Sequence, residues 1–148
     1  MELSKENTPQ IYALLETTIK DAGYSASKPK KHYKRIRPFT LFNASTCFPQ
    51  DEKSLANNGS YPSGHTMIGT TVALILTEIN PDKQNEILKR GYEYGQSRVI
   101  CGYHWQSDVD AARLLAGILV NRLNANPEFT KSIQKAKEEF QNKQHSSL

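Results

Sequence analysis

Three short segments of the sequence combine side chains that bind phosphate or move protons. The first contains Lys30 and, after six intervening residues, Arg37 followed by a proline. A guanidinium group presents a planar set of donors to phosphate oxygens, and a lysine adds a compact positive charge. A solvated basic face or a nucleic-acid-binding patch would use the same residue types, because runs of charge are common and unspecific.

The second segment is Ser63-Gly64-His65, which lies where a helical pattern begins. The first N–H groups of a helix have no intrahelical acceptor and lie at the positive end of the helix dipole, and glycine lets an anion approach the backbone closely. The segment therefore suits a phosphate site with a histidine beside it. The alternative is a turn with a serine cap and an exposed histidine.

The third segment places Arg98, His104 and Asp108 in order. A carboxylate that accepts from one ring nitrogen of a histidine fixes the tautomer and leaves the other nitrogen free to attack or to take a proton. The spacing of four suits one helical face. A structural His–Asp hydrogen bond and a metal site are the alternatives, but His32 and His145 lie in a basic run and a polar tail and no thiolate cluster accompanies them.

Apolar spacing predicts that helices hold these segments. No strand-like alternation appears, so we expect an all-α fold, a helical bundle without internal repeats. Helix boundaries follow from prolines, glycines and capping residues. Five helices are predicted. The first begins at Thr8-Pro9 and ends near Gly23, and the second begins near His65 and ends at Asn80-Pro81. The third runs from Asp82 to about Arg98, the fourth from Ser107-Asp108 to Leu123, and the fifth from Pro127 onward.

Residues 39–60 are rich in turn formers and predict a long loop, because Pro38 is expected to stop any helix. Connections of that length are usually functional or mobile.

Length and composition predict a single domain spanning residues 1–148. The chain has 148 residues, of which 37% are hydrophobic, and a net charge of +4, which permits one buried core. Residues 28–37 hold six of the cations and no anion. No apolar run is long enough to span a membrane, and the first residues do not resemble a signal peptide. Cys47 and Cys101 permit one disulfide, which the sequence leaves open.

Together the three segments resemble the signature of the type 2 phosphatidic acid phosphatase superfamily: Lys-x6-Arg-Pro, Pro-Ser-Gly-His and Ser-Arg-x5-His-x3-Asp. The surrounding residues, at 32–39, 58–66 and 95–113, are similar to those of the bacterial class A nonspecific acid phosphatases. The resemblance extends from about Ile11 to Phe140. It implies the helical bundle of the phosphatidic acid phosphatase and vanadium haloperoxidase kind.

The resemblance also implies hydrolysis of phosphomonoesters through a phosphohistidine, without a metal or other cofactor. His104 would be the nucleophile, Asp108 would orient it, and His65 would protonate the leaving group and then activate water. Small phosphate monoesters would be the substrates and inorganic phosphate and vanadate the competing anions, with no nucleic acid and no membrane span. Family members work in the periplasm or are secreted. The phosphate oxygens would be held by Lys30, Arg37, Ser63, Gly64 and Arg98.

Members of the resembled family usually carry additional N-terminal helices that pack beside the bundle, and we expect this chain to lack them. Part of the face of residues 67–79 or of residues 114–123 should then be exposed, which favours a homodimer. The alternative function is that of a truncated, weakly active or inactive relative that acts as a phosphate-binding or interaction module.

Overall fold

The protein is an assembly of helices. The structure, a computed structural model, describes residues 2–145, and within that range it contains no strand. The expected all-α class is confirmed. The helices are α1 (Pro9–Tyr33), α2 (Pro38–Phe42), α3 (Glu52–Ala56), α4 (Gly64–Ile79), α5 (Gln84–Ile100), α6 (Gln106–Asn124) and α7 (Pro127–His145), with 3-10 turns at Pro49–Asp51 and Pro81–Lys83.

Helix α4 is the centre of the bundle, and it contacts α1, α5, α6 and α7. Its apolar side chains belong to two hydrophobic clusters, so the helix is stabilised by burial on several of its sides. The larger cluster joins α1, α4, α6 and α7, and the smaller lies nearer the N-terminus of α4. The buried members of these clusters are Ile11, Leu14, Leu15, Ile75, Ile79, Val120, Phe129, Ile133 and Ala136 in the first and Ala22, Met67, Ala112 and Ala116 in the second.

Small residues bring α5 against α4. A Cβ atom built on Gly91 would lie 2.6 Å from the Cβ of Ala73, and one on Gly95 would lie 2.8 Å from Cγ2 of Thr66. Such separations are shorter than van der Waals contact, so the two helices approach closely because glycine occupies these positions. No helix within residues 2–145 is both long and apolar enough to cross a membrane.

Helix α1 is longer than the sequence predicts. The expected end near Gly23 is wrong, because the helix continues through Pro29 to Tyr33. Ala22 and Ala26 on either side of that glycine are fully buried, and this packing outweighs the weak helix propensity of glycine. The extension carries the basic run to the site. The helix ends where Lys34 adopts a left-handed conformation, φ 45°.

The residue predicted to cap α1 occupies the N-cap position, but it does not form the expected capping hydrogen bond. Thr8 is the N-cap residue, but its hydroxyl donates to the carbonyl of Ser4 instead of accepting from the helix. The carboxylate of Glu139 in α7 accepts the N–H groups of Gln10 and Ile11 at 3.2 and 2.9 Å. A tertiary contact therefore satisfies two helix donors that sequence assigned to a local cap.

The segment 39–60 is more ordered in secondary structure than expected. Pro38 begins α2 instead of preventing a helix, because proline is well accommodated in the first helical turn. The 3-10 turn and α3 follow, so the expected long loop is divided into short connections. Cys47 in this segment forms a disulfide with Cys101 at the end of α5, which answers the question that the sequence left open.

Other boundaries shift by about a turn or less. Helix α5 runs from Gln84 instead of Asp82 and is preceded by a 3-10 turn. Helix α6 begins at Gln106 with Trp105 as its N-cap, one residue or two before the predicted Ser107-Asp108 start. His104 therefore precedes the helix, and only Asp108 of the expected helical pair lies on it.

Two apolar side chains of α6 lie at the surface, within the range 114–123 where partial exposure is expected from the sequence. Leu114 is 73% exposed and Ile118 is 65% exposed. A groove of about 510 Å³ runs between α4 and α5 and is lined by Ile68, Val72 and Ile87 among others.

Candidate active site

The N-terminus of α4 supplies the backbone donors of the site. Ser63 is its N-cap and is fully buried, and its Oγ accepts the Thr66 N–H at 3.3 Å and the Thr66 hydroxyl at 2.8 Å. The Ser63 N–H donates to the backbone carbonyl of Asp108 at 3.0 Å, which ties this turn to α6. The first N–H groups of the helix, at Gly64 and His65, have no intrahelical acceptor and can donate to an anion.

His104 and Asp108 form a buried pair beside that turn. Nδ1 of His104 lies 3.4 Å from Oδ2 of Asp108, and the side chains are 2% and 0% exposed. Asp108 also accepts from the Trp105 N–H at 2.8 Å and from the Ser60 hydroxyl. Burial alone would raise the pKa of Asp108, but bonds from His104, Ser60 and Trp105 outweigh it, and the pKa lies below its ordinary value.

Burial dominates the ionisation of His104. It lowers the pKa of the imidazole to about 4, and the positive charges of Arg37 and Lys30 act in the same direction, while the hydrogen bond to Asp108 opposes them. His104 is therefore neutral at pH 6, as a nitrogen nucleophile must be.

Arg37 closes the other side of the imidazole. It is 2% exposed, and its Nε donates to the carbonyls of Leu55 and Asn58, both at 3.0 Å. Its Nη1 donates to the Tyr103 carbonyl at 3.1 Å and lies 3.1 Å from Nε2 of His104. Burial lowers the pKa of Arg37 to about 10, which leaves a fixed positive charge next to the ring at neutral pH.

Two further cations, Lys30 and Arg98, add positive charge to the site beside Arg37. Lys30 lies in the last turn of α1, and its Nζ donates to the Gly59 carbonyl at 2.8 Å. Burial and the charge of Arg37 lower its pKa to about 8. Arg98 of α5 stacks over the ring of Tyr103, 4.1 Å from the ring centroid, and its buried Nε has no hydrogen-bond partner in the described part of the chain.

His65 stands at the edge of the site and is exposed to solvent. The protein crowds one side of its ring, and this partial desolvation, followed by the charges of Arg98, Arg37 and Lys30, lowers the pKa of the imidazole. A histidine that titrates below its ordinary range while open to water can exchange protons with solvent and with a bound molecule.

All eight residues predicted for the site contribute to one charged cluster. Contacts or charge interactions connect them through Arg37 and Asp108, and the Lys30 side chain passes beside Gly64. Sequence reasoning missed Arg35 and Ser60, which both contact Asp108. Arg35 belongs to the basic run that the sequence singled out, but nothing in residue type distinguished it from its neighbours.

The donor set of the site is cationic and neutral, with Asp108 as its single buried carboxylate. Within residues 2–145, no three His, Cys, Asp or Glu side chains are grouped so that they could hold a metal ion. The arrangement can fix an anion by charge and by N–H donors, and it presents one histidine nitrogen to it.

The structure is thus of the class of all-helical bundles in which a helix N-terminus lies beside a buried histidine–carboxylate pair. The chain belongs to the PAP2 superfamily, whose family model matches residues 11–128. The resemblance predicted from the three sequence segments is confirmed.

Curated relatives match nearly the whole chain. A protein of Providencia stuartii named non-specific acid phosphatase is 57% identical over 93% of this chain and 56% of its own length. A protein of Salmonella typhimurium with the same name is 49% identical over 96% of this chain and 57% of its own length. A protein of Zymomonas mobilis named acid phosphatase is 36% identical over 95% of this chain and 53% of its own length. The chain thus spans little more than half the length of these relatives.

Proposed function

We propose that this chain hydrolyses phosphate monoesters with broad specificity, as a nonspecific acid phosphatase, through a phosphohistidine and without a metal. The observation that carries the proposal is the contact between Arg37 and Nε2 of His104 on one side of the ring, with Asp108 facing Nδ1 on the other. The relatives' names support the reaction class. The residues assigned here would contact only the phosphoryl group of a substrate, which fits broad specificity.

In the first half-reaction, Nε2 of His104 attacks phosphorus in line and the bond to the ester oxygen breaks. His65 gives its proton to the departing oxygen, so that an alcohol leaves. Asp108 stabilises the positive charge that develops on His104. In the second half-reaction, His65 takes a proton from water, the oxygen of that water attacks phosphorus, and the bond to Nε2 breaks to release inorganic phosphate.

The non-bridging oxygens would be bound by Lys30, Arg37 and Arg98, with the Ser63 hydroxyl and the Gly64 N–H as neutral donors. Phosphoryl transfer depends mainly on positioning and on fixed positive charge around these oxygens. Three cations supply that charge here. Inorganic phosphate and vanadate, which present similar oxygens, should compete with the substrate.

The test is hydrolysis of a chromogenic phosphate monoester in the presence of a chelator. We expect turnover by the wild type, loss of turnover and of ³²P-phosphoenzyme in His104→Ala, and wild-type behaviour in His145→Ala, whose ring bonds to the Gln141 carbonyl in α7. A His104→Ala variant with near-normal turnover, or a wild type that a chelator inactivates, would refute the mechanism.

A second candidate function follows from the exposure of Leu114 and Ile118 on α6. Exposed apolar side chains on one helix favour association as a homodimer, as expected of an interaction module that binds phosphate but is weakly active or inactive. Light scattering separates the candidates, since a stable monomer with full turnover would contradict the second.

The proposed location is an oxidising compartment, the periplasm or the cell exterior. The Cys47–Cys101 disulfide supports it, because such bonds persist where thiols are not kept reduced.

A further inference from the structure

Arg35 reaches the site from the connection between α1 and α2. Its Nη1 donates to Oδ1 of Asp108 at 2.8 Å and to the hydroxyl of Ser107 at 2.7 Å. The other carboxylate oxygen, Oδ2, faces His104 and Ser60. The two oxygens of Asp108 thus have different partners, and Arg35 is the charged partner of the oxygen that His104 does not use.

The guanidinium of Arg35 is itself held in place. It lies over the ring of Trp105, 5.5 Å from the ring centroid, and the Trp105 indole donates to the carbonyl of Ile36 at 2.8 Å. The Arg35 carbonyl accepts the N–H of Ser60 at 2.8 Å. Arg35 is therefore fixed on both sides by residues that neighbour the His104–Asp108 pair, which lowers the entropic cost of its ion pair.

The contact has two effects on the carboxylate. Arg35 helps to keep the fully buried Asp108 ionised, a form that burial would otherwise disfavour. It also opposes rotation of the carboxylate, because a rotated group would lose a charge-assisted hydrogen bond. The Arg35 side chain is 38% exposed, so water screens part of the first effect.

We propose that Arg35 is a positioning residue: it holds Asp108 so that Oδ2 stays directed at Nδ1 of His104 and Nε2 stays directed at the anion site. The proposal rests on the function proposed above and adds a residue to it. Arg35 acts on phosphate through Asp108 and His104, so its removal should lower kcat more than it changes KM.

The first test is the kinetics of Arg35→Gln. In metal sites, mutation of a residue that orients a ligand from outside lowers metal affinity or activity by about 10- to 100-fold. We expect about a 10-fold loss of kcat here, because Ser60 and the Trp105 N–H still hold Asp108. KM should be nearly unchanged. Arg35→Lys, which keeps the charge and one donor, should recover most of the loss.

Two matched controls separate this role from general loss of positive charge. Arg113→Gln removes an arginine that pairs with Asp110, also on α6, at 3.1 Å. Lys31→Gln removes an exposed cation from the same basic run. Both should retain wild-type kcat. A loss in Lys31→Gln equal to that in Arg35→Gln would overturn the proposal, since charge alone would then explain the effect.

A second measurement does not depend on turnover. Removing a positive charge raises the pH at which the His104–Asp108 pair takes up its first proton, so ¹⁵N NMR of His104 in Arg35→Gln should show protonation at higher pH and a loss of the single Nδ1–H tautomer. Unchanged tautomer and titration would refute the role of Arg35. A wild-type protein without phosphatase activity would instead refute the proposed function, and the NMR comparison would still decide the role of Arg35.

Discussion

Nη1 of Arg37 lies 3.1 Å from Nε2 of His104. A guanidinium nitrogen can only donate, so Nε2 is the acceptor and carries no proton. The proton of the neutral ring is then on Nδ1, which faces Oδ2 of Asp108 at 3.4 Å and the hydroxyl oxygen of Ser60 at 3.3 Å. The contact thus assigns the tautomer in which the lone pair of Nε2, the proposed nucleophile, points toward Arg37.

That relationship predicts that Arg37 cannot be replaced by lysine. In Arg37→Lys a positive charge remains, but the planar set of donors that serves Leu55, Tyr103 and His104 is lost. We expect kcat/KM to fall by about 100- to 1,000-fold, the usual effect of removing one preorganised donor. The measurement is steady-state hydrolysis of a phosphate monoester. Arg90→Lys, an exposed position on α5, is the control, and a loss below 10-fold would mean that charge alone suffices.

The two histidines predict an acid pH optimum. In the proposed mechanism His104 must be neutral to attack, so we expect activity to fall as the pH drops through its pKa of about 4. His65 would have to be protonated to assist the leaving group, and its pKa lies below 6.5, so we also expect activity to fall as the pH rises through that lower value. The profile of kcat/KM, which reports the free enzyme, should therefore be bell-shaped with both limbs below about pH 6.5.

The second ionisation of the substrate, near pH 6 for phosphate esters, has to be separated from the basic limb. Two esters with different second pKa values provide the control, because a limb that belongs to His65 stays in place when the substrate changes. A basic limb that follows the substrate, or that lies above pH 7 for both, would contradict the assignment.

Residue type and spacing sufficed to predict the fold class and most of the helices, and the residues predicted for the site lie near one another in the structure. The helix from Gly64 to Ile79 was predictable because Ser63 caps it and Pro81 follows its end, both of which act locally. The continuation of α1 past Gly23 was not, since it depends on packing of Ala22 and Ala26 against distant helices. Arg35 was missed for a related reason, because a cation that pairs with a buried carboxylate far along the chain resembles any other cation in a basic run.

The close approach of α4 and α5 predicts opposite effects for two glycine substitutions. In Gly91→Ala, the new Cβ would lie 2.6 Å from the Cβ of Ala73, and overpacking of about 1–3 kcal/mol exceeds the gain in helix propensity of about 1 kcal/mol. Gly117→Ala, also within a helix, places its Cβ where no atom lies within 4 Å, and it should stabilise the protein by about 0.4–1 kcal/mol. Midpoints of urea unfolding give both values. Equal effects of the two substitutions would show that helix propensity, and not contact, decides.

We expect the disulfide to supply a large share of the stability of the segment that leads to His104, the proposed nucleophile. Cys101 is the C-cap of α5 and is followed by Gly102, whose φ of 74° turns the chain toward Tyr103 and His104. The bond to Cys47 spans 54 residues of sequence, and loop-closure entropy for such a span corresponds to about 4 kcal/mol of constraint on the unfolded chain.

We expect a reductant to lower the thermal midpoint of the wild type. A Cys47→Ser/Cys101→Ser variant should have a lower midpoint from the start, and the reductant should not change it. Because the bond anchors the segment that leads into His104, the variant should also lose turnover on mild heating before it loses helical circular dichroism. A reductant-sensitive double variant, or a wild type whose midpoint the reductant leaves unchanged, would contradict this account.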